Sequence, residues 1–342
     1  MCDPLRSRSH PRPRTAPPKG RERVIFAALA AAVLLLFAAT CSKADDYPSK
    51  PLRLVVPYPS GGANDIFARL IAQKLTGSLG KPVVIDNKPG ASTMLGSEFV
   101  AKSPPDGYTL LLNNSTLGTT TVLYKKVPYK LADFAAVAPV ASTGIWLTVN
   151  PELPVRSVGD LVAYVKTNAG RVNYASTGRG GATHLISEQF DHVFGLSATG
   201  VEYRGSSPLI TDLMAGQVQF YFFPVNGSME FLRNGQLRAI AVTSERRLEA
   251  APDVPTFTEL GYPSLSATII YGIWAPAGVP APIIERLNRD IAAAVQADDV
   301  RARFLAEGAV PMTATPPAFT AAYRSNLSFW EGIIRPLDIE LD

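Results

Sequence analysis

At 342 residues, with 46% hydrophobic and 18% charged residues, the chain is long enough for one large or two ordinary globular domains, which excludes a wholly disordered polypeptide. Its formal net charge of +4 comes from the leader: residues 1–44 hold eight of the 33 basic and two of the 29 acidic residues, leaving 25 basic against 27 acidic residues elsewhere, a net charge near −2. A basic nucleic-acid surface is thereby excluded, and because Cys2 and Cys41 both lie in the leader, so are a disulfide framework, a reactive thiol and a thiolate metal site in the remainder.

The chain opens with Arg6, Arg8, Arg12, Arg14, Lys19, Arg21 and Arg23, followed by an apolar block from Val24 to Ala39 and then small residues, the order of a secretory signal. In "TCSKADDYPSK", Ser42 and Ala44 satisfy the small-x-small rule, so residues 1–44 are expected to be a signal peptide cleaved after Ala44. A lipobox ending at Cys41 is the competing reading, although Thr40 and Ala38 fit that motif poorly. The apolar block is shorter than the roughly 20 residues that a spanning helix needs.

Beyond the leader, β-rich runs alternate with helical patterns. "PLRLVVPY" predicts a strand and "NDIFARLIAQKL" a helix with Ile66, Phe67, Leu70, Ile71 and Leu75 on one stripe. "KPVVID", "STMLGSEFVAKS" and "GYTLLLNNS" follow as strand, helix and strand. Continuous apolar strands separated by helices imply a parallel sheet covered on both faces. The alternation then repeats, with strands at "VNYAS", "VEY", "QFYFFPV" and "RAIAVTS" and helices at "GATHLISEQFDHVFG", "PLITDLMAGQ" and "MEFLRNGQ". Between the two sets lies "STGIWLTVNPELPVRS", and after the second comes "SATIIYGIWAPAGVPAP"; both are extended, aromatic and proline-bounded, as chain crossings would be. The remainder, "APIIERLNRDIAAAVQ" and "PAFTAAYRSNLSFWEGII", is helical and is expected to pack back on the first domain. The pattern predicts two α/β lobes, the second inserted into the first, with crossings near residues 143–150 and 264–272. The carboxyl ends of their strands would face a cleft between the lobes.

The loops at those strand ends are "PSGGAND", "NKPGAST" and "NNST" in the first lobe and "STGRGGAT" and "RGSSP" in the second. They consist almost entirely of Gly, Ser, Thr and Asn and several open onto helices, whose free N-terminal N–H groups favour an anion. No Lys-Ser/Thr pair follows Gly61 and Gly62, so this is no nucleotide phosphate loop, and the turn reads as a cradle for a carboxylate-sized anion. Each element also has a plainer reading. The two glycines could serve only the tight strand-to-helix turn, Asp65 could be a first-turn carboxylate, and Ser176 and Thr177 could be ordinary caps. The recurrence of five such loops favours the ligand-binding reading.

Catalytic patterns are sparse. His184, Glu188 and His192 form a His-x-x-x-Glu-x-x-x-His series without an evident further ligand, so no metal or cofactor is expected. Ser176, His184 and Asp191 can be written as a triad, but there is no Gly-x-Ser-x-Gly elbow. "GRGGAT" lacks the third glycine of the dinucleotide fingerprint. A secreted hydrolase or oxidoreductase using the same cleft is the alternative to a binding protein.

"PYPSGGANDIFARLIAQKL", "KPVVIDNKPGAS", "SPPDGYTLLL", "GGATHL", "DLMAGQV", "LRAIAVTSERR", "APDVPTFTELGYP" and "IWAPAGVPAPIIERLN" together resemble the tripartite tricarboxylate receptor family, the Bordetella uptake gene type of periplasmic solute-binding protein, over almost the whole chain beyond the leader. The resemblance implies a type II Venus-flytrap fold of two α/β lobes, each a mostly parallel sheet flanked by helices, with residues 45–146 and 268–342 in lobe 1 and residues 147–267 in lobe 2. It implies a periplasmic, monomeric, non-enzymatic receptor for a small organic anion, partnered by the membrane permease subunits of a tripartite tricarboxylate transporter and not by nucleic acid. Carried over residue by residue, the first-lobe site would be Tyr58, Ser60, Gly61, Gly62, Ala63 and Asp65, then Ala91, Ser92 and Thr93, then Asn114, Ser115 and Thr116. The second-lobe wall would be Ser176, Thr177, Gly178, Arg179, Gly180 and Gly181, then Thr183 and His184, then Tyr203, Arg204, Gly205 and Ser206. The chain departs from the family pattern at Ser60 and Glu202, where proline is common, and at Gly181, where serine is common, a lost hydroxyl that Thr183 could replace. Arg179 and Arg204 flank the wall, as selectors of a second acidic group or as solvent-facing loop residues.

Overall fold

The computed structural model describes residues 47–203, 205–337, 339 and 341–342. The signal peptide, its cleavage point and Arg204 therefore lie outside the described residues.

Residues 48–342 contain two sheets. The first half of the chain builds β1 (Leu52–Val56), α1 (Ala63–Leu79), β2 (Val83–Asn87), α2 (Met94–Ala101), β3 (Thr109–Asn113), α3 (Thr116–Leu123) and β4 (Phe134–Thr143). β1 runs parallel to both β2 and β3, with Leu54 opposite Ile85 on one side and Leu110 on the other. α1 forms because Phe67, Ile71 and Leu75 recur at helical spacing and are fully buried, and it stops at Gly80, whose φ of 64° is that of a left-handed cap.

The second sheet is made of β5 (Ile145–Val149), α4 (Val158–Thr167), β6 (Asn173–Ser176), α5 (Ala182–Phe194), β7 (Thr199–Glu202), α6 (Ser206–Met214), β8 (Phe220–Pro224), α7 (Met229–Arg233) and β9 (Arg238–Val242), in strand order β7-β6-β8-β5-β9. Its core is aromatic: Phe190 packs against Phe220, Phe222 and Phe257 at centroid distances of 5.7, 5.7 and 6.5 Å.

The chain then returns to the first sheet through β10 (Ile269–Pro276), α8 (Ala281–Gln296), α9 (Asp298–Ala306), β11 (Ala309–Pro311) and α10 (Pro316–Ile334), giving the order β11-β4-β10-β3-β1-β2. This last region packs on the first sheet: Phe319 and Tyr323 of α10 meet Trp274 of β10 at 5.2 and 5.1 Å. Among the described residues no helix is long and apolar enough to cross a membrane.

Both sheets are mixed, where the strand pattern alone predicts parallel pairing. The parallel βαβ pairs are present in each lobe, but the two crossing segments are themselves long apolar strands. β10 lies antiparallel between β3 and β4, and β5 antiparallel between β8 and β9. α4 also goes beyond the sequence reading. Ser157 caps it by accepting from Asp160 N at 3.1 Å, and Leu161 and Val165 are buried.

One residue, Gly144, separates the first sheet from the second on the outward pass. A Cβ there would lie 3.1 Å from Ser244 Cβ and 3.2 Å from Ser244 N, so any side chain would require the segment after β9 to give by a few tenths of an ångström. Thr243 ties the two passes together. Its fully buried hydroxyl accepts from Ile145 N at 2.9 Å and donates to Ala267 O at 2.5 Å, while its own N–H donates to Ile145 O at 3.0 Å. Thr243→Val keeps the shape and strands a buried donor and a buried acceptor. It is expected to destabilise the protein by about 1–3 kcal/mol, read from urea denaturation. A midpoint equal to the parent's would show that the hydroxyl does not hold the passes together.

Candidate functional site

The loops after β1, β2 and β3 reach the same edge of the first sheet because the three strands run in parallel register. In the loop after β1, Gly61 has a φ of 86°, which favours glycine, and its N–H donates to Asp65 Oδ2 at 2.9 Å. Asp65 is 2% exposed and also accepts from Arg69 Nε at 2.8 Å and Asn87 Nδ2 at 3.0 Å. Burial pushes its carboxyl up, but the bonds from Arg69, Gly61 and Asn87 outweigh that and hold it below the usual carboxylate range. Asp65 braces the turn from behind. Gly62, the N-cap of α1, has an ordinary φ of −79°, and a Cβ there would meet only Pro59 O, at 3.8 Å. The plain turn-making reading therefore fits Gly61, whereas Gly62 leaves the start of α1 bare, with first-turn N–H groups lacking helical partners.

The loop after β2 carries a run of left-handed residues, Ala91, Ser92 and Thr93, at φ 46°, 48° and 74°. Such backbone costs roughly 1–3 kcal/mol per residue and is found where a ligand-facing conformation is imposed. Ser92 Oγ lies 2.7 Å from Tyr124 OH, and Thr93 Oγ1 accepts from Asn113 Nδ2 at 3.3 Å. After β3, Asn114 Oδ1 accepts from Thr116 N at 2.9 Å and from Tyr58 OH at 3.0 Å. Burial pushes the Tyr58 phenol far up, keeping it a neutral donor.

In the second lobe, Gly178 and Gly180 have φ values of 136° and 74°, and Gly181 is the N-cap of α5, again without a capping side chain. Thr177 Oγ1 and Thr183 Oγ1 are 3.5 Å apart. His184 Nδ1 accepts from Gly180 N at 3.3 Å; burial pushes its imidazole below the usual value while Glu188 and Glu202 oppose the shift. Arg179 lies 3.7 Å from Glu202 Oε1.

These loops enclose one cavity of 520 Å³. Of the residues singled out in the sequence, Tyr58, Gly61, Gly62, Ala63, Ser92, Thr93, Asn114 and Thr116 line it from the first lobe. Thr177, Gly178, Arg179, Gly180, Gly181, Thr183 and Ser206 line it from the second. Ser60 and Gly205 are exposed outside the lining, and Ala91 is absent from it. Four further side chains are used elsewhere, as Asp65 is. Ser115 Oγ donates to Asn326 Oδ1 at 2.7 Å and accepts from Ile270 N at 3.0 Å, holding α10 to β10. Ser176 Oγ donates to Gly178 O at 3.3 Å and accepts from Gly178 N at 3.2 Å. Tyr203 donates to Asp212 Oδ2 at 2.7 Å, and burial together with that carboxylate pushes its phenol up to about 12. His184 faces a smaller hollow with Tyr174 and Glu188, where Tyr174 OH donates to Glu188.

The cavity also takes residues that the loop reading misses. Tyr221, Phe223, Ile269 and Tyr271 form an apolar and phenolic wall from the strands, and burial pushes both tyrosine phenols far up. Asn226 and Gly227 come from the loop after β8, a sixth segment of the same small, polar type that "FPVNGS" could have revealed. Asn64 and Glu307 also line it. Arg179 and Glu307 are the two charged side chains in the lining, and each has an ion partner, Arg303 for Glu307 at 2.7 Å. An anion here would meet neutral donors: backbone N–H groups, hydroxyls and two bare helix starts. The Ser176, His184 and Asp191 side chains make separate bonds, Asp191 Oδ2 accepting from Ala198 N at 2.7 Å. Among the described residues no group of three or more His, Cys, Asp and Glu is arranged to hold a metal ion.

The chain is 37% identical over 318 residues to protein BugT of Bordetella pertussis, covering 91% of this chain and 98% of that one. Among solved structures, that of R. palustris Rpa4515 with adipate superposes with a TM-score of 0.80 at 33% identity, covering 86% of this chain and 99% of the other. That of MatC from Rhodopseudomonas palustris, with bound malate, gives 0.76 at 29%, covering 84% and 100%. The structure of periplasmic binding protein BugD superposes with a TM-score of 0.77 at 30% identity, covering 86% of this chain and 99% of the other, so the α/β fold found here is that of a periplasmic binding protein. The family of tripartite tricarboxylate transporter receptors matches residues 67–327. With that match over most of its length and BugT as a relative, the chain belongs to the tripartite tricarboxylate transporter receptor family.

Proposed function

We propose that this protein is a periplasmic receptor that captures a small carboxylate between its lobes and presents it, as a monomer, to the permease subunits of a tripartite tricarboxylate transporter. One observation carries the reading: α1 and α5 enter the same 520 Å³ cavity from opposite lobes, and both start at a glycine N-cap that leaves the first-turn N–H groups without a side-chain partner. The adipate and malate held by the two R. palustris relatives are carboxylates of a size that such a cavity admits. In this reading the first-lobe cradle is Tyr58, Gly62, Ala63, Ser92, Thr93 and Thr116, and the facing wall is Thr177, Gly180, Thr183 and Ser206. Residues 45–146 with 268–342 and residues 147–267 are the two lobes, hinged at the crossings. The protein binds without transforming its ligand, and the separate bonds of Ser176, His184 and Asp191 support that. Residues 1–44 direct export, and the mature protein begins at Asp45.

The cradle is tested at Gly62, where a side chain has room in the fold and meets the ligand instead. Charge-assisted hydrogen bonds contribute about 1.5–3 kcal/mol each, so Gly62→Val is expected to weaken binding at least tenfold by calorimetry, with the melting temperature nearly unchanged. Adipate, malate and any acid released from the denatured protein are the probes. Normal affinity in a folded variant would remove the cradle from the site.

Closure about the two crossings should shrink the radius of gyration in small-angle scattering at ligand saturation. An identical radius with and without bound acid would rule out a hinged receptor.

N-terminal sequencing of protein recovered from the periplasm should begin at Asp45. A lipid-modified Cys41 would instead make it a lipoprotein.

A further inference from the structure

The packing of α1 against α9 locates two side chains of the cavity that an anion cradle does not use. Lys74 Nζ of α1 lies 2.8 Å from Asp299 Oδ2 of α9, and the Phe67 and Phe304 rings meet at 4.6 Å. Numbers fall along α1 as they rise along α9, so the helices are antiparallel. One further turn places Asn64, at the start of α1, toward Glu307, just past the end of α9. Both line the cavity. Asn64 is 6% exposed, and its Oδ1 has no hydrogen-bond partner among the described residues. The Glu307 side chain is 20% exposed, and Arg303 Nη2 lies 2.7 Å from its Oε1. The same end holds Tyr271, whose ring meets Phe67 edge-on at 5.0 Å and whose hydroxyl donates to Asn226 Oδ1 at 3.5 Å.

This corner of the cavity presents acceptors. A buried amide oxygen without a donor is costly to leave unpaired, and Glu307, with Arg303 against one of its two oxygens, adds a further acceptor in the same lining. What satisfies both is a ligand donor with positive charge. It must reach them while the carboxylate of the same molecule rests on the bare start of α1, next to Asn64. We infer that the ligand is an amino-carboxylate, with its ammonium group held by Glu307 and Asn64 Oδ1. The inference rests on the receptor reading and narrows it, since a plain dicarboxylate of the adipate or malate kind leaves the acceptor corner unmatched.

The test is calorimetry on the dialysed mature protein with matched probes: succinate, glutarate and adipate, their 2-amino derivatives, and the ω-amino monocarboxylates of equal length. At least one aminated probe is expected to bind tenfold or more tightly than its plain counterpart, and Glu307→Gln to bring the two within threefold. Asn64→Ala, should Glu307→Gln fail to fold, is expected to narrow the same ratio. Plain diacids binding as tightly as every aminated probe would overturn the inference and leave the receptor reading standing. So would an amine-free acid as the co-purified ligand, or a preference untouched by either variant. If no probe binds and no acid is released on denaturation, the receptor reading itself falls and takes this inference with it.

Discussion

The buried Thr243 hydroxyl bonds to both segments of chain that pass between the sheets among the described residues, and the remaining geometry follows from how narrow that joint is. Because β4 becomes β5 across a single glycine, the sheets cannot slide independently. Loops built at the ends of strands in separate lobes are therefore brought to one cavity. In the receptor reading proposed above, a ligand held there by both lobes biases a rotation about two neighbouring segments, the means by which a few contacts drive a rigid-body movement. The apolar strands β5 and β10, which carry the passes, are fully buried, so the joint is anchored in both cores.

Much of this was legible from residue order. Short apolar runs alternating with helical stripes define the βαβ pairs, and the Gly, Ser, Thr and Asn between them mark the strand ends that face the cavity. Antiparallel pairing of the crossings was not legible. β10 inserts between β3 and β4, partners more than a hundred residues earlier, and nothing local to "IIYGIWAP" names them. Side-chain direction was equally out of reach. Ser115 and Thr116 are neighbours in one polar loop, yet the first ties α10 to β10 and the second lines the cavity. Tyr221 and Tyr271 read as core strand residues and are, but their ring ends also face the ligand space, a double use that periodicity does not reveal. Glu307 sits at a helix end that belongs to the first lobe through packing alone.

The cavity's electrostatics follow from the same economy of charge. A fixed arginine in a pocket would bind an anion strongly but would remain a buried, unpaired cation whenever the pocket was empty. Helix starts, hydroxyls and phenols avoid that problem, because each remains neutral in the open state and still directs positive dipole at the bound anion. Tyr58, Tyr221 and Tyr271, with phenols pushed far up by burial, keep their protons across the physiological range. Such a site exchanges water for ligand without a large desolvation barrier, which suits a carrier that must release what it binds.

The bare start of α1 has a consequence for how such a protein can change. A cradle made of main-chain N–H groups has no side chain of its own to lose, so what removes it is a residue that covers it, as at Gly62, or a change that undoes the turn and its Asp65 brace. In the receptor reading, the carboxyl group is then held by backbone, while Tyr221 and Asn226 across the cavity and Tyr271 and Glu307 beside the cradle supply the side chains that can vary. One half of the site is inherited as backbone and the other half is open to selection, so new ligands can be explored one side chain at a time without first losing the old anchor.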